Sequence, residues 1–178
     1  PWGLGDLTMT TPVISELRLL HPDAQLTLIV GGRAQADLMK DSPVVDQIIV
    51  FPQDATRTEK LKFFFDLRKW KIDVAFVGTR ILSKFAWLLR TFSVIPVILG
   101  DSADRKYSFP YSICNRLAPG RHRVEHMLKT FSMWTRQPPA LPRFCIPINE
   151  HAIHDATEAL ARESLSPGRF VVVHPGSS

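Results

Sequence analysis

This sequence predicts an α/β fold, a parallel sheet with helices on both faces, and two observations carry the prediction. Four short runs, "AQLTLIV", "VDQIIVF", "IDVAFVG" and "VIPVILG", are rich in β-branched residues and apolar nearly throughout, as strands covered on both sides are. They alternate with segments of helical period, "TTPVISELRLLH", "RAQADLMKD", "TEKLKFFFDLRKW" and "SKFAWLLRTF". Short connections in that alternating order call for a doubly wound, Rossmann-like parallel sheet.

Taken in order, the first helix places Val13, Leu17 and Leu20 at i, i+4 and i+7, with Glu16 and Arg18 off that face. The most apolar stretch, "ILSKFAWLLRTFSVIPVIL", carries Lys84, Arg90 and Pro96, so it reads as a helix followed by a buried strand rather than a membrane span. After Gly100 the period is lost. "DSADRKYSFPYSICNRLAPGRHR" reads as a long loop, kept ordered by Tyr107, Phe109, Tyr111 and Ile113. "VEHMLKTFSMWTRQ" is helical, "PPALPRFCIPIN" is a proline-rich connector, and "EHAIHDATEALARESL" is a further helix. "RFVVVHPGSS" reads as a new buried strand running into a glycine turn. The expected organisation is a domain over 1–137 whose opening turn lacks its strand, a linker and connecting helix over 138–168, and the first strand and turn of a second domain over 169–178.

Composition narrows the class of protein. With 45% hydrophobic and 22% charged residues the chain suits a globular core, and long disordered tracts are not expected. A formal charge of +5 and a pI near 9.5 favour an acidic partner such as phosphate, nucleic acid or an anionic membrane, or are simply solubility charge. Cys114 and Cys145 are the only cysteines, which gives neither a disulfide framework nor a CxxC metal motif and fits a reducing compartment. No charged n-region followed by an apolar run opens the chain.

The chemistry concentrates in "GLGDLTMTTP". Gly3 and Gly5 permit a tight turn and close approach to a ligand, and the following helix offers free N–H groups. Asp6 would repel a phosphate there, so it suits a base or hydroxyl ligand. The alternative is that Asp6 caps a helix beginning near Leu7. The dinucleotide pattern G-x-G-x-x-G fails at Thr8, and "LTLIVGG" lacks the acid that would hold a ribose.

"GLGDLTMTTPVISELRLLHPDAQLTLIV" with "SPVVDQIIVFP" resembles the start of the heptosyltransferase-type glycosyltransferases of family 9, which transfer ADP-heptose to lipopolysaccharide core. "HRVEHMLKTF" and "FVVVHPGSS" resemble that family's H-x-V-E helix and the turn opening its nucleotide domain. The resemblance implies the N-terminal half of a two-domain GT-B fold and metal-independent inverting sugar transfer. It implies Asp6 as general base, donor-phosphate contacts at Gly176, Ser177 and Ser178, and no cofactor beyond the ADP-sugar donor. An anionic lipopolysaccharide-core acceptor would meet Gly5, Arg57 and Lys60 at the entry to the third helix, Arg105, Lys106, His122 and Arg123. The stretch from Arg105 to Arg123 has five Arg and Lys residues and no acid, which favours an anionic ligand or is a solvated loop. A cytoplasmic protein, peripheral on the inner membrane and binding no nucleic acid, is implied. The fragment alone is expected to turn over little or nothing. Two other readings stand beside this one: a nucleotide- or NAD-dependent oxidoreductase on the same fold, and a non-catalytic carbohydrate-binding relative.

Other residues point to structure. His151 and His154 lack the H-E-x-x-H order of a zinc site, and "HPGSS" is not a nucleophile elbow. Trp70, Trp87 and Trp134 read as core or interface aromatics. The Phe cluster of "KLKFFFDLRKW" could brush a membrane, though packing on the sheet is the expectation.

Overall fold

The computed structural model of the 178-residue chain describes residues 3–78, 83–102, 108–116, 120–138, 141, 143–166 and 168–170. Helix and strand alternate as expected: α1 (Leu4–Leu20), β1 (Thr27–Val30), α2 (Arg33–Met39), β2 (Gln47–Val50), α3 (Arg57–Asp66), β3 (Val74–Val77), α4 (Ser83–Leu88) and β4 (Val97–Ser102). α3 tightens into a 3-10 turn at Leu67–Trp70, and α4 widens into a π turn at Leu89–Ser93. β5 (Ile113–Arg116), α5 (Arg123–Thr135) and α6 (Glu150–Arg162) follow. Of the strand and turn expected over 169–178, residues 171–178 lie outside the described residues.

Every strand pairing is parallel. β1 pairs β2 with Ile29 opposite Ile49; β3 pairs β4 with Phe76 opposite Leu99; β4 pairs β5 with Gly100 opposite Cys114. β5 corrects the reading of 101–123 as loop. "ICNR" has one β-branched residue, so its extended form comes from pairing with β4 and not from local preference. Ser112 seats it: its N–H donates to Ile98 O at 2.7 Å, and its Oγ accepts from Ile98 N at 3.1 Å.

The side chains of β3 alternate between two cores. Phe76 packs with Val13 of α1 and with Val124, Met127, Leu128 and Phe131 of α5. Ala75 and Val77 pack on the other side with Phe64, Leu67, Ala86, Leu89 and Ile98. Successive strand residues point to opposite faces, so the helices cover the sheet on both sides.

α1 departs from the expectation that its Glu16 faces out. Thr11, Ser15 and Glu16 are all buried, and Glu16 Oε1 has no hydrogen-bond partner among the described residues. The connector runs along the Thr11–Ser15 side of the helix: Ser15 Oγ donates to Arg143 O at 3.1 Å, and Cys145 Sγ donates to Thr11 O at 3.3 Å. Amphipathic period marks only the sheet-facing stripe, so a strap on the opposite side is invisible to it.

The chain forms two compact units, Pro1–Ile146 and Pro147–Ser178. In the second, Asn149 caps α6 by accepting from Ala152 N at 2.7 Å, and no α6 residue is buried.

In the first unit the sheet is divided. β1–β2 forms one piece and β3–β4–β5 another. Between β1 and β3 lies a cavity of about 970 Å³, walled by Thr27–Val30, by Val74–Val77 and by Leu7, Ile14 and Leu17 of α1. The two strands run the same way along it. Past the end of β1, Gly31 N donates to Gln35 Oε1, and Gln35 Nε2 donates to Gly3 O at 2.9 Å. Past the end of β3, Gly78 lies against Thr10. Both carboxyl ends therefore meet the N-terminal half of α1.

Candidate active site

In open parallel sheets ligands sit beyond the carboxyl ends of the strands, where loops lead into helices. Here that edge gathers the first turns of α1 and α5. α1 begins at Leu4, with Gly3 as its N-cap and no side-chain cap. Asp6 is thus the third residue of the helix and does not cap it, which overturns the capping alternative. Its carboxylate is partly exposed, lines the end of the cavity, and has no hydrogen-bond or ion-pair partner among the described residues. An acid in the first turn complements the positive end of the helix dipole.

Gly3 and Gly5 do not make a strained turn. Gly3 has φ −81° and ψ 161°, ordinary extended values, and Gly5 is helical. A Cβ on Gly5 would meet nothing within 4 Å. The absent side chain leaves open surface beside Asp6, and packing gives no reason for it.

Gly78 joins this turn to α5. A Cβ there would come within 3.0 Å of Thr10 Oγ1, and Gly78 O accepts a hydrogen bond from Arg123 Nη2. Thr10 is one helical turn beyond Asp6, and its Oγ1 approaches Met127 Sδ at 3.8 Å. Thr10, one turn beyond Asp6, and Arg123 therefore flank one backbone segment. Arg123 Nε is buried without a partner among the described residues, and its guanidinium keeps further N–H groups beyond the one on Gly78. His122 is exposed and is the N-cap of α5, with Nδ1 accepting from Val124 N at 3.3 Å.

Arg57 and Lys60 lie in the first turn of α3, which follows β2 and is fixed by a Thr56–Glu59 capping box. Glu59 is held below the usual carboxylate range by the hydrogen bonds from Thr56 N and Oγ1. Arg57 is exposed and Lys60 half-buried. Arg105 and Lys106, and Gly176, Ser177 and Ser178, lie outside the described residues. No group of three or more His, Cys, Asp or Glu able to hold a metal ion occurs among the described residues.

One acid at this edge escaped the sequence reading. Asp101 belongs to β4 and is only 5% exposed. Burial foremost, with the Cys114 thiol and the Asp101 charge adding to it, pushes the Tyr111 phenol well above its usual range. Burial, then Asp101, raises Cys114. The available signal is an acid directly after the apolar run "VILG", at the start of the stretch that reads as a loop.

Comparisons with known proteins bear on the fold. No protein-family model matches the chain, and no curated protein does. Among solved structures it is similar to the family 9 glycosyl transferase of Veillonella parvula DSM 2008, at TM-score 0.69 and 20% identity over 93% of this chain and 48% of that one. It is also similar to the E. coli heptosyltransferase WaaC with ADP, at TM-score 0.62 and 19% identity over 80% of this chain and 47% of that one. WaaC with ADP-2-deoxy-2-fluoro heptose matches at TM-score 0.58 and 16% identity. The chain spans about half the length of the structures it matches. Its fold is that of one half of a GT-B glycosyltransferase, similar to those of family 9.

Proposed function

We propose that the chain is the acceptor-binding half of an inverting sugar transferase in which Asp6 is the general base. The observation that carries this reading is the placement of Asp6: a carboxylate with no partner among the described residues, in the first turn of a helix, at the carboxyl edge of a parallel sheet, beside an open glycine. Asp6 would take the proton of an acceptor hydroxyl as that oxygen bonds to the anomeric carbon of the donor sugar. The bond from that carbon to the diphosphate breaks on the opposite face, and the nucleoside diphosphate leaves with the electron pair, so configuration inverts. The likeness to WaaC with ADP-2-deoxy-2-fluoro heptose supports ADP-heptose as donor, and the sequence motifs support an inner-core lipopolysaccharide as acceptor. Arg123, Arg57 and Lys60, with Arg105 and Lys106, supply the cations that phosphates and sugar acids on such an acceptor would meet. Gly176, Ser177 and Ser178 would contact the donor phosphate. The reaction needs no cofactor or metal on this reading, and the protein would work at the cytoplasmic face of the inner membrane.

The test is ADP release from ADP-heptose in the presence of heptose-deficient lipopolysaccharide core, with this chain joined to a nucleotide-binding half. Asp6→Asn should lower kcat by about 10²–10⁴-fold while nucleotide affinity persists. Gly5→Ala should keep or raise thermal stability, because alanine favours the helix by about 1 kcal/mol, yet raise the acceptor KM. Turnover unchanged by Asp6→Asn removes the carboxylate from the chemistry. Core binding without turnover of any nucleotide sugar favours a non-catalytic relative.

A further inference from the structure

The first turn of α1 has little of its own to hold it in place. Gly3, its N-cap, offers no side chain to close the helix, Leu4 is 48% exposed, and Gly5 weakens the helix where it stands. Asp6 has no partner among the described residues, and the first apolar anchor is Leu7, which is buried. A general base nevertheless acts only when its carboxylate is held within hydrogen-bond reach of the proton it takes. Asp6 therefore needs a fixed point outside its own helix.

Gln35 supplies one. It is the third residue of α2, is 5% exposed, and reaches back past the helix start, so that its Oε1 accepts from Gly31 N at 2.8 Å. Its Nε2 donates to Gly3 O at 2.9 Å, 32 residues away in sequence. Among the described residues this is the one hydrogen bond that ties residues 3–6 to anything beyond α1. The same Gly3 O accepts from Leu7 N at 3.3 Å, the first bond of the helix. Both partners of Gln35 are backbone groups of fixed polarity, one a donor and one an acceptor. A carboxamide meets the two at once, which neither a carboxylate nor a hydrocarbon can do. Gly31 directly follows Val30, the last residue of β1, so the start of α1 is tied to the end of a strand.

We propose that Gln35 is a positioning residue for Asp6: by holding Gly3 O to the carboxyl end of β1, it fixes the helical turn that carries the base. That role rests on the reading of Asp6 as the general base, and the experiment separates the two.

The experiment pairs hydrogen exchange of the 178-residue protein with turnover of ADP-heptose on heptose-deficient core by the chain joined to a nucleotide-binding half. In the wild type, nuclear magnetic resonance should show the Gln35 side-chain NH2 protected from solvent exchange. Free exchange of that group overturns the proposal without any variant. Two nearly isosteric substitutions then divide the bonds. Gln35→Glu keeps an acceptor for Gly31 N but sets a carboxylate against Gly3 O, and Gln35→Met removes both bonds. In each, the Leu7 amide should exchange at least about 10-fold faster relative to the amides of Ile98 and Leu99 in β4. kcat should fall by about 10–100-fold with the donor KM unchanged, as expected of a displaced base rather than of lost binding. A residue that merely packed would lower the melting temperature and leave kcat and the relative exchange of Leu7 at their wild-type values. Either of those two unchanged in a folded variant, while Asp6→Asn abolishes turnover, overturns the positioning role alone. Turnover absent from the wild type, or unchanged by Asp6→Asn, defeats the reading of Asp6 as base and the positioning role with it. If neither Gln35 variant folds, the wild-type exchange of the NH2 group decides.

Discussion

The two pieces of the sheet are made from similar sequences and are packed very differently. β4, at the centre of the three-stranded piece, buries Ile98, Leu99, Gly100 and Asp101, with Ile98 and Leu99 fully inaccessible. β1 and β2 bury one residue between them, Val30. "LTLIV" and "QIIVF" are nearly as apolar as "VIPVIL", with one polar residue each against none. The difference lies in neighbours: β4 has a strand on each side, whereas β1 has β2 on one side and the cavity on the other. A strand's burial is set by what flanks it as much as by what it contains.

The largest test of that contrast is a matched pair of truncations. Ile98→Ala should cost about 2–5 kcal/mol, as expected for a fully enclosed side chain, while Ile49→Ala in half-buried β2 should cost well under half of that. Equal losses by chemical denaturation would mean that the two pieces are equally packed and would break the comparison. Next, Gly100→Ala should cost about 1–3 kcal/mol, because its Cβ would lie 2.2 Å from Tyr111 Cε1 and the ring must move. A smaller change in the other piece of the sheet, such as Ile48→Val in β2, should be tolerated by comparison. Hydrogen exchange sharpens the contrast at the level of the backbone. Amides of β4 should open only with global unfolding, and those of β1 and β2 through cheaper local opening.

The smallest effect concerns Asp46, which anchors the β1–β2 piece to α1. Its Oδ2 accepts from Leu26 N at 2.6 Å and from Arg18 Nη2 at 2.6 Å. These bonds, the backbone one foremost, hold its carboxyl below the ordinary aspartate value of 3.8. A carboxylate whose pKa is lowered by folding stabilises the fold above its unfolded value, and that contribution is lost as pH falls through the folded one. Asp46→Asn should therefore lower the melting temperature slightly near neutral pH, and the gap to wild type should close in acid. A constant gap across pH would mean that the charge contributes nothing.

Much of this was legible in the residues. Hydrophobic period located α1 to α5 and β1 to β4 within a few residues, because each of these segments prefers locally what the tertiary structure requires. "GLGD" marks the start of α1, where a carboxylate without a partner among the described residues is found. What period could not reveal was anything created by contact between distant segments. β5 becomes a strand because Ser112 and Ile113 pair with Ile98 and Leu99. Thr11 and Ser15 are buried on the side of α1 along which the connector runs, and Phe65 faces outward although Phe63 and Phe64 do not.

By itself, then, the sequence determined the alternation of elements, the parallel class of sheet and the helix that presents Asp6, since these follow from near-neighbour sterics and apolar spacing. Only the tertiary structure decided that the sheet stands in two pieces about a cavity, that Arg123 reaches Gly78 across 45 residues, and that Phe65 and Trp87 stay exposed. Those outcomes depend on which surfaces meet, and burial and pairing across long sequence separations leave no local signature.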